Sequence, residues 1–175
     1  LRRAEFQFGE SRLDARGTVS WRDGIAWDGF VAAERVETST LAPAQWHLYG
    51  PVSIRASTEG QKRGRSMRGL LSIESLSGRL RDRELAGSGS VAVNNGELDF
   101  TALHVAWGDA RVSADGHAGK TLDLKFDVVA PNLAAIDSSL HGSVSIKGSA
   151  SGARKKPRVN ADITADSLRV STYAA

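Results

Sequence analysis

Ser113, Asp115 and His117 stand almost side by side in the run SADGH, and together they are the residue types of a hydrolytic triad. In such a triad the serine attacks, the histidine takes its proton and the acid orients the imidazole. The serine must then sit on a sharp strand-to-helix elbow that exposes its Oγ. Small, turn-forming residues crowd this run, and the sequence predicts a turn there with no elbow. Nucleophilic catalysis is not expected, and no catalytic residue is assigned. Metal binding is not expected either. His47, His104, His117 and His141 are scattered without a short-spaced ligand pair, and the absence of cysteine removes thiolate sites and disulfides alike. The GSG at Gly87 to Gly89 lacks the further glycine and the lysine of a phosphate-cradling loop, so no cofactor is expected.

Two basic runs remain, QKRGRSMR from Gln61 and ARKKPR from Ala153. Their cations could draw anionic lipid headgroups, at about 1 kcal/mol each near a charged surface. The alternative is a pair of solvated loops that discourage edge pairing. Neither run interleaves aromatic residues with its cations, as nucleic-acid binding would want. The 23 basic residues are nearly balanced by 20 acidic ones, leaving a net charge of +3, and no nucleic-acid partner is expected. The 175 residues read as one unit, residues 1–175, long enough for a sizeable core. No run approaches the roughly 18 to 20 apolar residues of a membrane span, and no signal segment opens the chain. Since it begins at Leu1, the expectation is a piece excised from a longer protein whose targeting and anchoring parts lie outside it.

The elements that would position any site announce themselves through a repeated unit. GTVSW from Gly17 recurs as GPVSI from Gly50, GSVAV from Gly89 and GSVSI from Gly142. Successive side chains of a strand point to opposite faces, so Val19 with Trp21, Val52 with Ile54, Val91 with Val93 and Val144 with Ile146 would each share a face. The leading glycine predicts a turn or bulge at the start of each strand. The intervals are too irregular for a solenoid of fixed coils and suit a meander. Elsewhere Leu98 and Phe100 alternate, then Leu103, Val105 and Trp107 alternate in the opposite parity, which predicts a bulge at Thr101–Ala102. Gly108–Asp109 predicts a turn before Ala110, Val112 and Ala114. Leu122, Leu124, Phe126 and Val128 alternate with Asp123, Lys125 and Asp127, and Val159, Ala161, Ile163 and Ala165 repeat the pattern.

Two stretches differ. TLAPAQWHLY from Thr40 has an early proline and a possible cap, and in PNLAAIDSSL from Pro131 the residues Leu133, Ile136 and Leu140 fall at helical spacing after Asn132. Each is either a short helix or a loop. The remaining strands need their apolar face covered, and the chain has no long amphipathic helix to do so. A closed sandwich core is one solution, and alternation alone favours it. An open trough with a nonprotein occupant is the other.

The run LSGRLRDRELAGSGSVAVNNGELDFTALHVAWGDARVSADG from Leu76, followed by LDLKFDVVAPNLAAIDSSLHGSVSIKGSASG from Leu122, resembles the TamB family, part of the broader AsmA-like group of bacterial envelope proteins. The P-x-V-x-A-x-I from Pro157 and the W-x-G at Trp27 fit the same layout, and the similarity covers most of Gly17 to Val170. The resemblance implies an all-β fold, an elongated antiparallel meander sheet curled into a taco-like apolar groove, with at most one or two short helices. It implies a periplasmic protein anchored in the inner membrane, working with the TamA outer-membrane barrel through a C-terminal region outside this chain. It implies phospholipid carriage between the membranes, or help in assembling outer-membrane proteins.

A lipid track needs apolar side chains in phase and no reactive group. On the groove reading its lining would be Val91, Val93, Leu98, Phe100, Leu103, Val105, Leu122, Leu124, Phe126, Val144, Ile146, Val159 and Ile163, in contact with phospholipid acyl chains. On the bland reading the same residues are a sandwich core. The resemblance favours the groove.

Overall fold

Period-two alternation over most of the chain calls for extended backbone, and pairing is what satisfies its amides. The computed structural model describes residues 4–40 and 49–170, and pairs their strands in one sheet. In chain order these are β1 (Ala4–Phe8), β2 (Ser11–Ser20), β3 (Ile25–Glu37), β4 (Pro51–Arg63), β5 (Ser66–Leu80), β6 (Arg83–Asn94), β7 (Glu97–Trp107), β8 (Ala110–Ala118), β9 (Thr121–Ala130), β10 (Leu140–Ala153) and β11 (Arg158–Val170). The 11 strands lie side by side in sequence order, each antiparallel to its chain neighbours, as an open curled sheet. This is the all-β meander expected from the alternation. Among the described residues no helix is long and apolar enough to cross a membrane.

Bulges bend the sheet. An extra residue stands between Ala33 and Val36 in β3, between Ile73 and Leu76 in β5, and between Phe100 and Leu103 in β7, the last also shifting the register of β6 between Ser88 and Ser90. The ladder puts these shifts next to one another: Ile54 pairs with both Ala33 and Leu76, Leu76 pairs with Gly87, and Ser88 pairs with His104. An extra residue bends its strand and steepens the local twist, so a row of them creases the sheet from β3 to β7. Two of the bulges are held alike. Arg35 (φ 52) and Ala102 (φ 47) are left-handed, and each turns its amide out of the ladder. The Arg35 N–H donates to Ser53 Oγ at 3.0 Å and the Ala102 N–H to Asp115 Oδ2 at 3.0 Å, both acceptors on the next strand.

Several local expectations change. The SADGH run is no turn: it lies inside β8, paired on one side with β7 and on the other with β9, and two ladders override its loop-like composition. Gly17 and Gly89 do not begin strands. Gly17 is inside β2 opposite Gly29, where a Cβ would collide with the Asp28 backbone, and Gly89 (φ 136) is inside β6 opposite the β7 bulge. Gly50 (φ 118) does precede β4, and Gly142 (φ 102) lies just inside β10 opposite a bulge of β11 at Ser167 (φ 52). The stretch from Pro131 forms one 3₁₀ turn, Leu133–Ala135, with Asn132 at its start but no side-chain cap bond. Of the stretch from Thr40, residues 41–48 lie outside the described residues; Thr38–Thr40 is a 3₁₀ turn. The bulge at Thr101–Ala102 and the turn at Gly108–Asp109 stand where the alternation puts them.

Candidate functional site

Each strand contributes alternate residues to either face, and ladder partners share a face, so the register adds the strands' apolar sets together. One row runs Leu71, Val91, Phe100, Gly116, Leu124, Ala150, Val159 across β5 to β11. A second runs Val19, Trp27, Gly60, Gly69, Val93, Leu98, Ala118, Leu122, Gly152 from β2 to β10. Leu103, Ala114, Phe126, Gly148 and Ala161 form another, as do Val105, Val112, Val128, Ile146 and Ile163. Val144 pairs with Ala130 and Ala165 on the same face. The register thus puts every candidate lining residue on one face.

That face carries residues the alternation did not single out as lining. Trp27 lies over Gly60 and Gly69, where added methyls would meet its ring, and its Nε1 donates to Thr58 Oγ1 at 3.2 Å. Phe126 likewise lies over Gly148. Ile54, Leu71, Ile73, Leu76 and Val112 complete the patch. The pairing of Val52 with Ile54 in the repeated unit was a signal for part of it. Leu71 and Ile73 were masked by the adjacent Leu70.

No described layer covers the face. Among the described residues each strand packs against its neighbours and no second sheet faces it; the connection over residues 131–136 meets this face only at its end, beside Trp107 and Ala110. Only Ala33, Gly119 and Ala130 are buried among the described residues, and no large side chain is fully buried. Val112 is 49% exposed and Ile163 66%. A closed sandwich core of these residues is not what forms.

The opposite face is polar, and its charges alternate in sign across the strands: Asp115 pairs with Lys125, Asp127 with Lys147, Lys147 with Asp162. A hollow of about 570 Å³ opens among them. Ser113, Asp115 and His117 all point to this face, but Ser113 and His117 are about 13 Å apart along the strand. His117 instead meets Asp99, Nδ1 to Oδ1 at 2.6 Å, and that hydrogen bond raises the imidazole pKa above its ordinary value. Asp115 serves the Ala102 bulge. The three triad residue types are not assembled into a charge-relay arrangement.

The family profile described as TamB, N-terminal domain, matches residues 1–175. The Translocation and assembly module subunit TamB of Haemophilus influenzae is 23% identical over 158 residues, which is 90% of this chain and 12% of that protein. No solved structure matches the chain.

Proposed function

The chain belongs to the TamB family, and from that premise we propose that it is a segment of a longer, non-catalytic lipid carrier whose apolar face holds phospholipid acyl chains in transit between the inner and outer membranes. The observation that carries this reading is the uncovered face: one apolar surface crosses the sheet, and among the described residues no second sheet lies against it. Each methylene kept from water is worth about 0.8 kcal/mol, so an amphiphile crossing an aqueous space gains from a continuous apolar surface. The rows supply that continuity and offer the tails no polar anchor, which suits sliding rather than fixed binding. On this reading the whole protein lies in the periplasm, anchored in the inner membrane, and meets a TamA-like barrel through a region outside this chain.

Detergent-free purification from a bacterial periplasm, followed by lipid extraction and mass spectrometry, tests this directly. Phospholipid is expected with the wild type and severalfold less with Phe126→Arg and Val112→Glu. Val112 is half exposed, so its variant keeps the test open should the Phe126 variant fold poorly. Lipid-free wild type, or equal lipid on folded variants, would sink the reading.

One observation favours a second reading, a scaffold that adds strands of outer-membrane polypeptides to its edge. All 13 residues of β11 are exposed, and among the described residues its outer edge pairs with no strand. A proline on β11 should impair that activity and spare lipid carriage, whereas charges on the apolar face should do the reverse.

A further inference from the structure

In a meander, alternate connections fall at opposite ends of the strands, so the sheet has two lips. The connections at one lip carry Glu10, Asp82, Asp109 and Asp137 against Arg81. Those at the other carry Arg22, Arg65, Lys120, Arg154, Lys155 and Lys156 against Asp23. The two basic runs of the sequence, far apart in the chain, therefore lie along one lip.

On this lip a cleft of about 600 Å³ opens between the β6–β7, β8–β9 and β10–β11 connections, lined by Lys120, Arg154 and Lys155, with Asn94, Asn95 and the carboxylate of Glu97. Its walls are pinned. The Arg154 N–H donates to the Lys120 carbonyl at 2.9 Å, while Asn95 Oδ1 accepts from Ser66 Oγ at 2.9 Å and from the Met67 N–H at 3.0 Å. The apolar face begins over the same lip. Leu122 stands two residues from Lys120, and Val93 and Leu98, the chain neighbours of Asn94 and Glu97, turn to the apolar face where those two turn to the polar one, so the row is reached across the lip within about 7 Å along the strands.

We propose that this cleft holds the phosphate of an anionic phospholipid headgroup whose acyl chains lie on the adjoining apolar face. The proposal rests on the lipid-carrier reading and adds a binding site and a charge preference to it. The cations attract a net negative headgroup, and the short step to the Val93–Leu98–Leu122 row matches an amphiphile in which phosphate and chain are covalently close. A free anion would use only the first of these features. Three cations against the single carboxylate of Glu97 predict a preference of at least about tenfold for an anionic over a zwitterionic headgroup.

The test measures binding of monomeric dihexanoyl phosphatidylglycerol, dihexanoyl phosphatidylcholine and inorganic phosphate to the full chain by isothermal titration. The wild type is compared with the triple variant Lys120→Gln, Arg154→Gln, Lys155→Gln and with Val112→Glu. Tight binding of the anionic lipid, loss of the tenfold preference in the triple variant with phosphatidylcholine binding retained, and weakening of both lipids by Val112→Glu would support the site. An unchanged preference in the triple variant would overturn the lip site while leaving the carrier reading intact. Failure of both lipids to bind the wild type would overturn the carrier reading and the site together. Inorganic phosphate binding as tightly as the anionic lipid would make the cleft a free-anion site, and displacement of the lipid by an equimolar oligoglutamate peptide would make it a protein contact; either overturns the proposal.

Discussion

At the residue scale the His117–Asp99 pair is the feature of the polar face with a pH signature. Its sign follows from the hydrogen bond to Asp99, which raises the imidazole pKa above 6.5, with weaker help from Glu97 and Asp123 and opposition from desolvation. A histidine whose folded pKa is raised contributes stability that is fully present below its unfolded pKa and is lost as pH rises through the folded value. Wild type should therefore resist urea better than His117→Gln at pH 5.5, with the gap narrowing by pH 8.5. The imidazole signals of His117, followed by NMR, should titrate above 6.5 and move back toward that value in Asp99→Asn. A urea-midpoint difference that does not change with pH would mean that the pair, on an exposed face, contributes nothing measurable.

At the element scale, strands are set by alternation and the sheet's shape by the bulges that interrupt it. Ala102 occupies a left-handed conformation that alanine resists, and its amide is met by Asp115. Removing that acceptor in Asp115→Ala should destabilise the chain by about 1 kcal/mol in urea unfolding, whereas Asp115→Asn, which keeps an acceptor oxygen, should cost clearly less. Ala102→Gly should stabilise, because glycine adopts φ 47 without the Cβ penalty. If Asp115→Ala and Asp115→Asn are equally stable, the bulge does not depend on the side chain. This bulge is legible in the sequence because Leu98 and Phe100 pass to Leu103 and Val105 in opposite parity. The β5 bulge is not, since adjacent Leu70 and Leu71 blur the parity before Leu76. The loop-like SADGH run reads as a turn because Asp and Gly carry poor strand preference, and its pairing partners are remote in sequence. The candidate lining follows the same logic. Alternation identifies which residues share a face, and the ladder carries that face from strand to strand. Whether a second layer covers it depends on tertiary contacts that no local period reports.

At the scale of the whole molecule, every strand but the five-residue β1 has 9 to 15 residues and reaches about 30 to 50 Å from lip to lip, and the 11 strands spaced about 4.8 Å apart extend about 50 Å across the stack. An apolar face spread over such a sheet, with no second sheet covering it among the described residues, exceeds the few hundred Å² that soluble monomers ordinarily expose, and such faces mark interaction surfaces. It should therefore report its own occupancy. Lipid-stripped chain is expected to bind the dye ANS strongly while keeping its strand circular dichroism, and short-chain phospholipid should displace the dye. A ligand that binds only the folded state stabilises by mass action, about 2.7 kcal/mol at a hundredfold excess over its Kd, which for a chain of this size corresponds to a rise in Tm of about 5 to 10 °C. Dye displacement and the Tm rise should weaken together in Val112→Glu, since both draw on the same surface. A stripped chain that ignores ANS would mean that its apolar face is covered in solution, and the lipid track would then have no surface to run on.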